Sequence, residues 1–469
     1  MDNAATLSRG CPETADVLAW LFDYRRTIDC TVERIPFSSS RHWKFDSGQS
    51  ALRHSSGRFF TVQGYKGVAD NQPPIYQPLI NQPETGTQGF IIRRGESGLE
   101  LLAQARTEPG NVGIVQIGPT IQATFSNYTA VHQGKRQPFL KHFHHPELFG
   151  AGVVLDTVQP ELGSRFLNKW NRNIVIETSS MTDFSDPMFK WVSLKTMTRL
   201  MQIDHIVNND ARLVVGLLAL ECGEELFRQC PTQLGQLVSH SFATAAGRTF
   251  LNVDDAREWV GHAKTHLRIE AQEVALEELP RWRISADEIS HDDDLHFSVI
   301  QVAVHAADRE VTDWDQPLIA ADHTAEIILV CLEEQGVLNF LFRAEPQIGN
   351  ANGAQLQPTF CFDNEGESSV PSGIAGLLND QHIVERFTFE ASDEGGRFYQ
   401  CLSRYDIRWI DSDVHVDLPE NFCWLTLAQI RALLNEPDFI SDESRSILSL
   451  FLTAALSARF ECERNPGVG

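Results

Sequence analysis

The chain repeats itself, and this duplication constrains its fold more than any other feature. "DVLAWLFDYRR" from Asp16 and "DAREWVGHAKT" from Asp255 both read as amphipathic helices, and Trp20 falls on Trp259 at an offset of 239. Trp43-Lys44-Phe45 falls on Trp282-Arg283-Ile284, and "QPLI" from Gln77 on "QPLI" from Gln316, at the same offset. Glu108-Pro109 meets Glu345-Pro346, Asn111 meets Asn350, and Pro119-Thr120 meets Pro358-Thr359. Further on the offset is close to 232: "GSRF" at Gly163 matches "GGRF" at Gly395, and "WVSL" at Trp191 matches "WLTL" at Trp424. A short helix and a longer one follow each time. The expected division is a first module over residues 1–239, which carries the chemistry, and an acidic auxiliary module over 240–469.

Each copy reads as a helix, several strands, a turn-rich middle, more strands and two helices. The strands are short and rich in β-branched and aromatic residues, as in "RFFTVQGY", "GFIIRR", "HFSVIQVAV" and "AEIILVCL", with Gly, Asp and Asn at the breaks. The expected class is α+β, with mixed sheets bracketed by helices. No GxGxxG fingerprint and no Walker loop occur.

Charge separates the two copies. Residues 1–240 hold 23 acidic and 23 basic side chains, whereas 241–469 hold 40 and 16, which is the whole net charge of −24. So acidic a second half disfavours nucleic acid and anionic membranes as partners, and an anionic ligand is expected at the neutral half. No apolar run approaches the roughly 20 residues needed to span a bilayer, and the first residues do not read as a secretory leader. Nine scattered cysteines without a CxxC pair are the usage of a reducing compartment. The expected location is the cytoplasm.

One stretch is unusually polar for its length. "TEPGNVGIVQIGPTIQATFSNYTAVHQG" (Thr107 to Gly134) sets Glu108, Asn111, Gln116, Gln122, Asn127, Tyr128 and His132 close together. Donors, acceptors and one imidazole at strand–turn spacing read as the lining of a cavity. Taken with "LDTVQPELGSRFLNKWNRNIVIE" (Leu155 to Glu177) and the paired QPLI and WxTL elements, it resembles the NDP-hexose 2,3-dehydratases of deoxysugar biosynthesis, over nearly the whole chain. The resemblance implies a tandem pair of Nudix-like modules, a homodimer, and a dTDP-4-keto-6-deoxyglucose type of substrate. The product would be a 3,4-diketo-2,6-dideoxy sugar nucleotide, passed to a separate 3-ketoreductase. A Nudix box is not visible, since "LEEQG" at Glu333-Glu334 lacks the preceding Arg-Glu. The second copy also lacks the Asn-Tyr-Thr and following His, reading "PTFCFDNEGESS".

Loss of water from a 4-keto sugar needs no cofactor, because the ketone itself acidifies the carbon 3 proton and accepts charge as an enolate. The protein must add a base, an acid and donors to the enolate oxygen. Tyr128 and His132 are the natural pair; Glu108 is a further candidate base, but a glutamate in an EPG turn more often caps a helix or pairs with a nearby Arg, and its counterpart Glu345 in the second copy favours that structural role. Arg165 and Arg172, with Lys135, Arg136 and Lys169, are candidates for the diphosphate. Arg165 has a repeat partner in Arg397, and a shared structural role competes with phosphate binding. Arg172 is read as having no counterpart, since Tyr405 and Asp406 occupy that region. Gln77, Asn111, Gln122, Asn127, Asn171 and Asn173 are candidate partners for sugar or base. Trp191 and Trp424 could stack on thymine, although a Trp heading a helix is more often core. "KHFHH" (Lys141 to His145) does not have metal-ligand spacing, so no metal and no cofactor are expected. The "HDDDLH" run from His291 reads as a solvated face. A non-catalytic nucleotide-sugar-binding protein is the alternative, and the one-sided retention of Tyr128 and His132 favours an enzyme.

Overall fold

The computed structural model describes residues 11–69, 72–95, 98–124, 138–179, 186–228, 230–293, 296–362, 370–371, 373–414 and 416–462, with side chains through residue 458. The first module opens with helix α1 (Pro12–Thr27), then strands β1 (Cys30–Arg34), β2 (Trp43–Phe45), β3 (Ala51–His54), β4 (Thr61–Val68) and β5 (Ile75–Asn81). There follow β6 (Gly86–Gly95), β7 (Gly98–Thr107), β8 (Val115–Gly118), β9 (Ile121–Ala123), the short α2 (Leu140–His144), β10 (Ala151–Pro160), β11 (Phe166–Leu167), β12 (Trp170–Thr178) and β13 (Phe189–Ser193). Helices α3 (Leu194–Leu200), α4 (Asn209–Glu221), α5 (Gly223–Leu226) and α6 (Gln233–Ala243) complete it.

The second module repeats the series. It runs α7 (Val253–His266), β14 (Glu270–Val274), β15 (Trp282–Ile284), β16 (Glu288–His291), β17 (Ser298–Ala306), β18 (Asp313–Ala320), β19 (Thr324–Glu334) and β20 (Val337–Glu345). Then come β21 (Gln355–Gln357), β22 (Phe360–Phe362), β23 (Ile383–Ser392), β24 (Phe398–Tyr399), β25 (Leu402–Ile410), β26 (Phe422–Leu425), α8 (Leu427–Leu434) and α9 (Asp442–Cys462).

The expected α+β class holds, and the duplication extends to strand order. One seven-stranded sheet runs β10-β12-β6-β7-β13, with β8 on β7 and β9 on β6; its counterpart joins β23, β25, β19 and β20, with β21 and β26 on β20 and β22 on β19. In each, one parallel pair (β12 with β6, β25 with β19) lies among antiparallel ones. The two six-stranded sheets match as well, β11-β5-β4-β3-β2 against β24-β18-β17-β16-β15. Their sixth strands are exchanged: β1 pairs with β17 and β14 with β4, so each module supplies a strand to the other's sheet. Register also corrects one reading of the sequence. Trp170 lies opposite Pro160 and Leu402 opposite Ser392, so Arg172 does have a counterpart, Arg404.

Packing closes the same seam. Residues of both six-stranded sheets, among them Trp43, Phe60, Phe166, Trp282, Phe297 and Phe398, form one apolar cluster. A larger cluster joins α4 and α9 to both seven-stranded sheets. The two long helices meet where Gly216 faces Ser449; a methyl group there would stand 2.3 Å from the Ser449 Cβ, so the close approach needs glycine. Two buried arginines bind the modules reciprocally: Arg212 donates to the Ser392 carbonyl, and Arg445 to that of Pro160.

The repeated motifs quoted above are docking elements. The Gly110 N–H donates to the Gly395 carbonyl at 2.8 Å, and Gln400 N–H donates to Gly110 at 2.8 Å. In mirror fashion Gly349 N–H donates to Gly163 at 2.7 Å and Asn168 N–H to Gly349 at 2.8 Å. The backbones approach so closely that a Cβ on Gly110 would lie 1.6 Å from the Phe398 carbonyl oxygen, and one on Gly349 1.8 Å from that of Phe166. EPGN of the first copy thus receives GGRF of the second, while GSRF of the first receives the Gly349 turn.

Candidate active site

The docked turns frame a cavity of about 390 Å³ at the seam. The first module gives one wall from β6, β7, β9 and β12 (Gln88, Arg106, Gln122, Asn171) and another from its six-stranded sheet (Trp43, His54, Phe60). The second module gives the segment from Arg309 to Gln316 and the turn bearing Glu394 and Arg397. Asp210, in the first turn of α4, completes it. The sizes and polarity suit a small polar ligand with an aromatic end, since most such sites combine apolar walls with a few convergent polar groups.

Glu108 is the centre of a fixed network. Its carboxylate accepts from Gln122 Nε2 at 2.7 Å, Arg106 Nε at 3.3 Å, Asn111 Nδ2 at 3.3 Å and Asn208 Nδ2 at 3.4 Å. Asn208 also caps α4, accepting the Ala211 N–H at 2.9 Å, and donates to Gln122 at 3.1 Å. One side chain therefore ties the helix start to the cavity floor. With four donors on its oxygens, Glu108 is placed as the organiser of the floor, which agrees with the paired-to-Arg reading of its sequence context.

Three carboxyl groups converge here: oxygens of Glu108, Asp210 and Glu394 all lie within 4.8 Å of one another. Burial pushes Asp210 well above the ordinary carboxylate range, and the neighbouring carboxylates of Glu394 and Glu108 push the same way against Arg106. Glu394 is raised by burial too, with Arg397 opposing. Behind it, burial and then Asp442 and Glu394 raise Glu161 to about 8. Lys169 is lowered by burial although Glu161 and Glu394 pull it up. Buried acids of this kind can hold and deliver protons near neutrality.

The residues singled out in the sequence fall into three groups. Glu108, Gln122, Lys169 and Asn171 line the cavity, and Asn111 and Asn173 support it: Asn111 bonds Glu108, and Asn173 accepts from the lining Gln88 at 2.8 Å. Asn171 accepts the Gly86 N–H at 3.1 Å and donates to Glu161. Tyr128, His132, Asn127, Lys135 and Arg136 lie outside the described residues; Thr124, just before them in sequence, is a lining residue. The rest sit elsewhere. Gln77 donates to the Ser164 carbonyl at 2.6 Å, and Arg172 forms a two-pronged pair with Asp156 at 2.7 and 2.6 Å. Arg165 lies over the Phe297 ring at 4.2 Å. Trp424 is 2% exposed in an apolar cluster, and Trp191 lies under Arg93 at 4.1 Å. The "HDDDLH" run is not simply a solvated face: His291 is nearly covered, bonds Asp293 at 2.8 Å and meets the Trp282 ring edge-on.

Missed in the sequence were Asp210, Glu394, Arg309 and Arg397, with the aromatic walls Trp43, Phe60 and Trp314. Arg397 is the repeat mate of Arg165 and does the same packing, over Phe60 at 4.3 Å, but it alone of the two lines the cavity.

Buried carboxyl groups, cations and aromatic walls around a cavity at the seam of two α+β modules make a site for acid–base chemistry on a polar ligand. The chain belongs to the NDP-hexose 2,3-dehydratase family, whose model matches residues 14–218 and again 253–451, once per module. Relatives described as dTDP-4-dehydro-6-deoxy-α-D-glucopyranose 2,3-dehydratase share this length. That of Saccharopolyspora spinosa is 34% identical over 96% of this chain and 93% of its own. Those of Streptomyces violaceoruber and Amycolatopsis orientalis are 34% and 30% identical, covering 94% and 97% of this chain and 97% and 94% of theirs. A solved structure described as an ADP compounds hydrolase aligns with 37% of this chain and 89% of its own at 16% identity and a TM-score of 0.22, too low to carry an argument. Among the described residues no helix is long and apolar enough to cross a membrane.

Proposed function

We propose that the protein eliminates water from dTDP-4-keto-6-deoxyglucose, removing the carbon 2 hydroxyl and the carbon 3 proton to give dTDP-3,4-diketo-2,6-dideoxyglucose. The observation that carries this reading is the near-full-length similarity to relatives bearing that name. The seam cavity supports it: Arg309, Arg397 and Lys169 offer charge to a diphosphate, Trp314 offers an aromatic surface to a base, and Gln122 and Asn171 offer hydrogen bonds to sugar hydroxyls.

The reaction divides into a proton abstraction, an acid-assisted departure of water and a tautomerisation. A base takes the carbon 3 proton and the electrons pass to the carbon 4 oxygen as an enolate. The enolate then re-forms the ketone as the carbon 2–oxygen bond breaks, an acid protonates the departing oxygen, and the resulting enol tautomerises to the diketone. His132 and Tyr128 are proposed as base and enolate donor, with Glu108 holding the cavity floor. We further read residues 1–239 and 240–469 as Nudix-like modules, on the sequence resemblance, with the chemistry centred on the first and the protein acting as a homodimer. The product's adjacent ketones call for a ketoreductase acting at carbon 3. A cytoplasmic setting is in keeping with nine cysteines, none of which forms a disulfide among the described residues.

The test is incubation of the purified protein with this substrate in deuterated water, with EDTA present, following sugar mass and nucleotide release. Loss of water, abolished by His132→Ala or Tyr128→Phe, is expected. Tight binding with neither water loss nor deuterium uptake would sink the reading.

A further inference from the structure

Resting on the dehydratase reading, we propose that Asp210 is the general acid that protonates the departing carbon 2 hydroxyl, and that Glu394, delivered by the second module, positions it. Asp210 is 3% exposed and lines the cavity, and among the described residues its carboxyl makes no hydrogen bond. Its carboxyl oxygens are not sealed into the core and keep their remaining access through the cavity that Asp210 lines. A sugar hydroxyl entering the cavity supplies the missing partner.

The neighbouring carboxyl groups differ. Glu108 already accepts four hydrogen bonds, and Glu443, the repeat mate of Asp210, takes the Gln347 amide at 2.6 Å. Asp210 is also held rigidly, two residues into a helix whose cap, Asn208, is bonded to both Glu108 and Gln122. Glu394 comes within reach only because GGRF docks on Gly110, and among the described residues its carboxyl is likewise without a hydrogen bond. Two such groups side by side favour sharing a proton over ionising together. Burial and the neighbouring carboxylates favour the protonated form of Asp210.

The step balances. The carbon 2–oxygen bond breaks as its electrons leave on oxygen, the Asp210 proton joins that oxygen, and water departs. The Asp210 carboxylate left behind faces Arg106 and regains its proton from solvent as the base returns the one it took. The charged groups facing Asp210 are Glu394, Glu108, Glu161, Arg106 and, from its own helix, Arg212.

The experiment compares wild type, Asp210→Asn and Glu394→Gln in deuterated water. For D210N, kcat for water loss is expected to fall ~100- to 10,000-fold, while deuterium still enters at carbon 3. An analogue with chlorine in place of the carbon 2 hydroxyl needs no protonation to depart and is expected to be turned over by D210N at nearly the wild-type rate. For E394Q, removing the like charge lowers the pH at which Asp210 ionises, so the alkaline limb of kcat moves to lower pH. Water loss by D210N within about tenfold of wild type, loss of carbon 3 exchange together with water loss, or no gain from the chloro analogue would each overturn the assignment. An unmoved alkaline limb in E394Q overturns the role of Glu394. If wild type itself neither exchanges nor dehydrates, the dehydratase reading fails instead.

Discussion

The two junctions between the modules share a scaffold and differ in what it holds. At one, GGRF docks on Gly110 and carries Glu394 and Arg397 to the cavity that contains Glu108, Gln122, Lys169 and Asp210. At the other, GSRF docks on Gly349, but the residue matching Glu394 is Leu162, packed into the shared apolar cluster. Cys361 stands for Gln122, Cys401 for Lys169 and Ser441 for Asn208. The glycines, the stacked arginines and the helix starts are common to both because the backbones must dock twice. Arg343, Glu345 and Glu443 repeat Arg106, Glu108 and Asp210, whereas Glu394, Gln122 and Lys169 meet only leucine or cysteine in the other copy, because duplicated architecture does not require duplicated chemistry. The difference therefore separates what holds this molecule together from what it does.

The sharpest way to break that comparison is to exchange the differing turn residue. Glu394→Leu is expected to lower kcat by ~100-fold or more, whereas Leu162→Glu, which places a carboxyl in an apolar cluster, should cost about 1–3 kcal/mol of stability and leave turnover within about twofold. Steady-state kinetics and urea unfolding of both variants decide it; equal kinetic losses would mean that the junctions are functionally alike. A smaller effect is expected from the stacked arginines. Arg397→Lys should raise KM for the nucleotide sugar ~10-fold, and Arg165→Lys should not, although both lose similar packing on a phenylalanine ring. Arg172→Ala, which removes a surface pair with Asp156, should change neither KM nor stability by more than about 1 kcal/mol.

The smallest effect concerns pH. Glu161 is raised from near 4.5 to about 8 by burial and by Asp442 and Glu394, so the folded protein keeps a proton that the unfolded chain releases. Its contribution is fully present below about pH 4.5 and is lost as pH rises towards 8. Urea midpoints of the wild type should therefore decline across that window, and Glu161→Gln should flatten the decline.

Much of this was legible in the sequence. The Trp, QPLI and WxTL repeats give the duplication, and the density of Gln, Asn and Glu from 107 to 122 marks the cavity floor, because such side chains are buried only where they find partners. The exchanged strands were not legible. "CTVER" and "EAQEV" are short, similar in pattern and equally suited to either sheet, so nothing in them says which copy they complete. Asp210 was hidden by its position, since an acidic residue in the first turn ahead of "ARLVVGLLAL" is ordinary helix chemistry. Glu394 was hidden in the copy judged inactive. Aligning the copies against each other exposes it, as a carboxylate where the mate has leucine.

The strand exchange sets a timetable for the chain. β1 leaves the ribosome early, yet its partner β17 follows only after roughly 270 more residues, which at ~5–20 residues per second is tens of seconds of synthesis. The first six-stranded sheet must in turn await β14, and the cavity wall awaits Glu394. A nascent chain that has produced one module alone lacks that wall, and until β14 and β17 have been made, the strands they pair with are left with an open edge.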